Sequence, residues 1–75
     1  MDIMVPREVE PPITLLGWHL REGEAFRAGE SLVDLIGPEG CHSVLAATDG
    51  LLTEIYVADG CAVRVGEALA RIEVA

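Results

Sequence analysis

The residues able to do chemistry are few and lie near the middle of the chain. Cys41 and His42 are adjacent, and Glu39 stands two positions before the cysteine with Pro38 and Gly40 on either side. A thiolate is a nucleophile and could carry an acyl or sulfur group, and a neighbouring imidazolium lowers a thiol pKa. Adjacent residues on a strand point to opposite faces, however, so His42 is badly placed to serve Cys41. The expected state of the pair is a small buried hydrophobe followed by an exposed imidazole. Cys41, His42, Cys61 and His19 form neither a C-x-x-C nor an H-x-x-x-H spacing. A structural zinc site needs about four such ligands in a matching pattern, so no metal site is expected. Nothing resembles a Ser/His/Asp arrangement or a phosphate-binding glycine loop, so no catalytic residue is assigned and the chain does not read as an enzyme. The basic residues are Arg7, Arg21, Arg27, Arg64 and Arg71, and there is no lysine. Chemistry that needs a lysine side chain is closed to this chain.

Length and charge narrow the field further. Seventy-five residues make one domain, 1–75. A chain this short buries only about 60% of the surface its unfolded form exposes, so the fold must be economical. The hydrophobic fraction of 51% places it among globular chains. No apolar run approaches the roughly 20 residues needed to span a bilayer. The first residues, Met1-Asp2-Ile3-Met4, lack the basic start of a signal peptide. A net charge of −8 would be repelled by nucleic acid and by anionic membrane, and leaves a protein partner as the expectation. Cys41 and Cys61 are too few for a secreted disulfide framework and read as reduced thiols in a cytoplasmic protein.

The elements that must position these residues are short. Apolar runs are broken every six to ten residues by Gly, Pro or Asp, the spacing of an all-β sandwich or barrel. The runs predict strands over Ile3–Val5, Ile13–Leu20, Ser31–Ile36, Cys41–Ala46, Leu51–Val57 and Ala68–Val74. Arg7–Pro12 reads as a loop, because Pro11 and Pro12 supply no backbone donor. Gly37-Pro38-Glu39-Gly40 and Asp49-Gly50 read as turns. A helix over Ala62–Val74 is the weaker reading, interrupted by Gly66. In the doublets Leu15-Leu16 and Leu51-Leu52 one member must be partly exposed, which suits an interface. Trp18 is expected in the core, Glu22, Glu24 and Glu30 as a solvated acidic face, and Glu30 and Glu67 in turns.

The chain also repeats itself. A shift of 37 positions lays Trp18–Leu35 on Ile55–Ile72. Gly23 then falls on Gly60, Ala25 on Ala62, Arg27 on Arg64, Gly29 on Gly66, Glu30 on Glu67 and Leu32 on Leu69. Glu22 falls on Asp59, and Leu20, Phe26 and Leu35 on Val57, Val63 and Ile72. Two matched halves around a turn at Pro38-Glu39 imply a quasi-two-fold β domain. Two copies are too few for a solenoid.

This repeat, with Asp49-Gly50 before its second half, resembles the biotinyl/lipoyl carrier domain family. Trp18–Glu30 looks like the family's segment of Trp, Val, Glu-Gly-Asp, Val and Gly, Val57–Ile72 like its closing segment, and Val5-Pro6 like its opening strand. The resemblance covers nearly the whole chain. It implies a barrel-sandwich hybrid of two four-stranded antiparallel sheets with quasi-two-fold symmetry. The family carries its cofactor on a lysine at the tip of the central hairpin, eleven residues before the Gly of the Asp-Gly turn, a place that Glu39 takes here. Lipoylation and biotinylation both form an amide with an amine, so no cofactor is expected. The resemblance therefore implies a non-modifiable carrier-like domain. It would serve as an interaction or scaffold module on a 2-oxo acid dehydrogenase or biotin-dependent carboxylase type of assembly. Docking would run through Pro38, Glu39, Gly40, Cys41 and His42. Two alternatives stand beside it: a thiol carrier through Cys41, and a structural homo-oligomer or fragment of a larger multidomain protein.

Overall fold

A computed structural model describes residues 1–75. It contains eight strands: β1 (Asp2–Met4), β2 (Ile13–Trp18), β3 (Ala25–Phe26), β4 (Ser31–Gly37), β5 (Gly40–Leu45), β6 (Gly50–Ile55), β7 (Ala62–Val63) and β8 (Ala68–Val74). They form two four-stranded sheets, β1-β8-β6-β3 and β5-β4-β2-β7, antiparallel throughout. The 37-residue shift carries β2, β3 and β4 onto β6, β7 and β8 residue for residue. The two sheets are thus copies of one another, with β5 and β1 as the matching edges. Residues 68–74 form a strand, not the weaker helical alternative.

The symmetry extends to individual hydrogen bonds. The Gly23 amide donates to Leu52 O, and the Gly60 amide to Leu15 O, each at 2.7 Å. In return the Leu52 amide donates to Glu24 O and the Leu15 amide to Cys61 O, each at 2.9 Å. Gly23 and Gly60 have φ of 92° and 85°, where a Cβ is disfavoured, which is why both halves keep glycine there. Carboxylates tie the turns down in the same paired fashion. Glu30 accepts from the Arg27 amide at 2.7 Å and Glu67 from the Arg64 amide at 2.9 Å. Glu22 accepts from the Ile55 amide at 2.8 Å, and its counterpart Asp59 from the Trp18 amide at 3.3 Å. Glu22, Glu24 and Glu30 are therefore exposed but not merely solvated, because each side chain satisfies a backbone donor.

Inward residues of both sheets make one core, with Ile13, Leu15, Val33, Leu35, Leu52, Leu69 and Ala70 at its centre. The doublets divide as their alternation requires. Leu15 is buried while Leu16 is 52% exposed, and Leu52 is buried while Leu51 is half-buried. Trp18 packs against the core and donates its Nε1–H to Val57 O at 2.9 Å.

Several boundaries differ from the sequence reading. β2 stops at Trp18 and β6 at Ile55, because the next amides, of His19 and Tyr56, bond Leu32 O and Leu69 O outside the strand ladders. β3 and β7 are two residues each, too short for any alternation to show. Asp49-Gly50 is not a hairpin turn. β5 and β6 lie in different sheets, and Gly50 is already the first residue of β6, paired with Phe26 and Val74. The reason for glycine there is space. A Cβ would lie 2.5 Å from Glu73 O and 2.8 Å from the Phe26 ring.

Candidate functional site

The β4–β5 hairpin reverses at Pro38-Glu39, with Gly37 paired to Gly40 across the turn. Pro38, Glu39 and Gly40 are all exposed. The hairpin is braced by the loop over residues 7–12. Val9 anchors that loop in the core, and at Gly37 the two backbones approach so closely that a Cβ would lie 3.0 Å from Glu10 O and 3.3 Å from Val9 Cγ1. Between loop and hairpin lies a shallow cavity of about 190 Å³, lined by Glu8, Val9 and Glu10 on one side and residues 37–42 on the other. Glu8, Glu10 and Glu39 make this end of the molecule acidic.

The structure thus brings Pro38, Glu39, Gly40, Cys41 and His42 together and adds Glu8 and Glu10 from the Arg7–Pro12 segment, which the sequence predicts only as a loop. The available signal was Val9, an apolar residue between two glutamates, whose burial pulls both of them to the tip.

Cys41 and His42 take the reverse of their expected environments. Cys41 is exposed and free, and His42 is half-buried. Register explains it. Cys41 pairs with Ile36, which points outward, whereas His42 pairs with Leu35, which is fully buried. The two side chains do lie on opposite faces, as alternation requires. Cys61 is also exposed and free, and lies on the far side of the sheet, beside the edge strand β7. No three His, Cys, Asp or Glu side chains converge as a metal-binding group.

A second polar cluster occupies the outer face of the same sheet. Asp34 accepts from Ser43 Oγ at 2.7 Å and faces His19 Nε2 at 2.9 Å. The Ser43 hydrogen bond, followed by His19, holds the Asp34 carboxyl below its ordinary value. Both partners bind the carboxylate and not each other, so no imidazole faces the hydroxyl and the group is not a catalytic triad.

Neither protein-family sequence profiles nor curated proteins match the chain. Solved structures do. The lipoyl domain of the 2-oxoglutarate dehydrogenase complex from Azotobacter vinelandii superposes with a TM-score of 0.82 at 33% identity, over 97% of this chain and 95% of that one. The chain belongs to the lipoyl-domain family. A single-chain, multi-domain long-chain acyl-CoA carboxylase also aligns, with a TM-score of 0.78 over 95% of this chain but only 8% of its own length. At 23% identity this second likeness shows the fold alone.

Lipoyl domains are non-catalytic carrier and interaction modules, and this one has that general character. The residues present at its tip do not fit an amide-linked lipoyl group. Neither Pro38 nor Glu39 offers an amine, and the chain has no lysine. The α-amine of Met1 donates to Ile72 O at 3.2 Å. Met1 also lines a cavity with Leu45 and Ala46, at the end of β5 away from the turn.

Proposed function

We propose that this lipoyl-type domain is non-modifiable. It acts as a docking or scaffold module on a 2-oxo acid dehydrogenase or carboxylase type of assembly. The observation that carries this reading is the pair Pro38-Glu39 at the hairpin tip in a chain without lysine. Glu39 stands where the acceptor lysine of a carrier would stand. Its carboxylate cannot accept a lipoyl or biotinyl carboxyl as an amide. It can pair with arginine in a partner's pocket, and Glu8 and Glu10 add to that charge. Docking through Pro38, Glu39, Gly40, Cys41 and His42 then needs no chemistry on the domain itself.

The test has two arms. Incubation with lipoate- and biotin-attaching enzymes should leave the intact mass of the wild-type chain unchanged, while Glu39→Lys should gain one group. Titration with a purified basic component of such an assembly should shift the amide resonances of residues 37–42 and of Glu8 and Glu10. Glu39→Arg should weaken that binding roughly tenfold, the scale of a lost charge-assisted contact. Modification of the wild-type chain, or shifts confined to the opposite end of the barrel, would refute the reading.

One observation favours a second reading, the exposure of Cys41 one residue beyond the turn pair Gly37–Gly40. A thiol there could take an acyl group from a thioester donor, releasing the donor thiol, with no change of oxidation state. His42 lies across the strand and gives it no help, so we rank this below docking.

A further inference from the structure

β5 is the longest edge strand of the molecule. The other edges, β1, β3 and β7, have three, two and two residues. β5 has six, Gly40–Leu45, with no proline, lysine or acid among them to deter pairing. Its register with β4 turns the backbone groups of Gly40, His42 and Val44 toward β4 and those of Cys41 and Ser43 toward the open side. Outside the strand ladders no backbone hydrogen bond involves residues 40–45. The edge is thus a row of unpaired donors and acceptors, the template that strand addition requires.

The two ends of β5 differ. At the Gly40 end lies the acidic groove of Glu8, Glu10 and Glu39. At the Leu45 end lies an apolar cavity of about 140 Å³, formed with Met1, Phe26 and Leu32, where Leu45 itself is 58% exposed. The strand between them spans roughly 17 Å at about 3.4 Å per residue.

Deepening the docking reading, and resting on it for the existence of a partner, we infer that the open edge of β5 accepts an extended segment of a basic protein. The segment becomes a fifth strand of the β5-β4-β2-β7 sheet, antiparallel to β5. Its first residue is apolar and lies near Leu45, and its last is basic and lies near Glu39. Charge decides the occupant. A second copy of this chain would bring a further net charge of −8 beside Glu8, Glu10 and Glu39 at the Gly40 end of the edge, whereas a basic segment neutralises them.

The probe is a capped hexapeptide with leucine first, arginine last and alternating threonine and valine between, added to the full chain. Hydrogen exchange of the Cys41 and Ser43 amides should slow by about tenfold at saturating peptide, while that of the core amide of Leu15 stays unchanged. A peptide N-methylated at the two amides that would face β5 should not protect them. Ser43→Pro should abolish protection, and Ser43→Ala, which lacks only the hydroxyl contact to Asp34, should retain it. Where Ser43→Pro fails to fold, the N-methylated peptide alone decides. Undiminished binding of that peptide would overturn the inference, as would the absence of protection at any peptide concentration. Protection that rises with protein concentration alone would assign the edge to a second copy and equally overturn it. If strand addition fails while a partner component still perturbs residues 37–42, the docking reading survives without it.

Discussion

On the outer face of the β1-β8-β6-β3 sheet, Arg71 lies 3.6 Å from Glu54 and accepts through its carbonyl from Thr53 Oγ1 at 2.8 Å. The counterparts of Thr53 and Glu73, 37 positions earlier on the outer face of the other sheet, are Leu16 and Ile36, 52% and 41% exposed. Inward positions diverge less, with Ile13 against Gly50 the exception. Leu15 and Leu52 are equivalent and both fully buried, as are Leu32 and Leu69 within a few per cent. Core packing therefore holds the two halves alike, and the outer faces are free to differ. One is cross-paired and polar. The other exposes Leu16 and Ile36 beside the Asp34, Ser43 and His19 cluster, and adjoins the acidic hairpin tip and the open edge of β5. On the docking reading, the face that carries Leu16 and Ile36 is the one a partner meets.

The largest expected effect tests the shared core. Leu15→Ala and Leu52→Ala should each cost about 3 kcal/mol and agree with one another within about 1 kcal/mol, because each leaves a cavity at the same place in its own half. Urea unfolding of both variants is the check, and a large disparity would break the equivalence of the halves. Next comes a position where the symmetry fails. Ile13 is buried in β2, but its counterpart Gly50 has no room for a side chain. Gly50→Ala should cost about 2 kcal/mol by overpacking against Glu73 O and the Phe26 ring, read from the same unfolding midpoints.

A smaller effect on stability sharpens the contrast between the faces. Giving Leu16 and Ile36 the residues of their counterparts, as Leu16→Thr with Ile36→Glu, should leave stability within about 0.5 kcal/mol. The same double variant should weaken binding of a partner component severalfold, measured by calorimetry. Unchanged binding would show that Leu16 and Ile36 take no part. The last effect concerns Asp34, the counterpart of Arg71. Its carboxyl is held below the ordinary value by Ser43 and then His19. The stabilisation is present above the unfolded value near 3.8 and is lost as pH falls through the lower folded value. Asp34→Asn should therefore flatten the acid limb of the stability curve by under about 1 kcal/mol, the scale of an exposed pair. Thermal unfolding between about pH 2 and 6 measures it.

The symmetric architecture was legible because glycine, arginine and glutamate recur at fixed offsets, and those residues lock the turns through positive φ and side-chain bonds to backbone amides. β3 and β7 were not legible, since two residues carry no period. Asp49-Gly50 was read for the wrong cause: its glycine answers a steric demand from Phe26, which is distant in sequence. Cys41 was placed inside because cysteine is commonly buried, but register with Ile36 decides its face. Pro38 and Gly40 were legible as turn residues and Glu39 through the family's spacing before Asp49-Gly50, whereas Glu8 and Glu10 reach the tip only through the burial of Val9.

That this lipoyl-type domain carries no group on its hairpin is tested most directly by the intact mass of the protein from its native host, purified without reductant. The bare mass of the chain is the predicted result. A covalent adduct mapped to Cys41, or to any other residue of the hairpin, would contradict it.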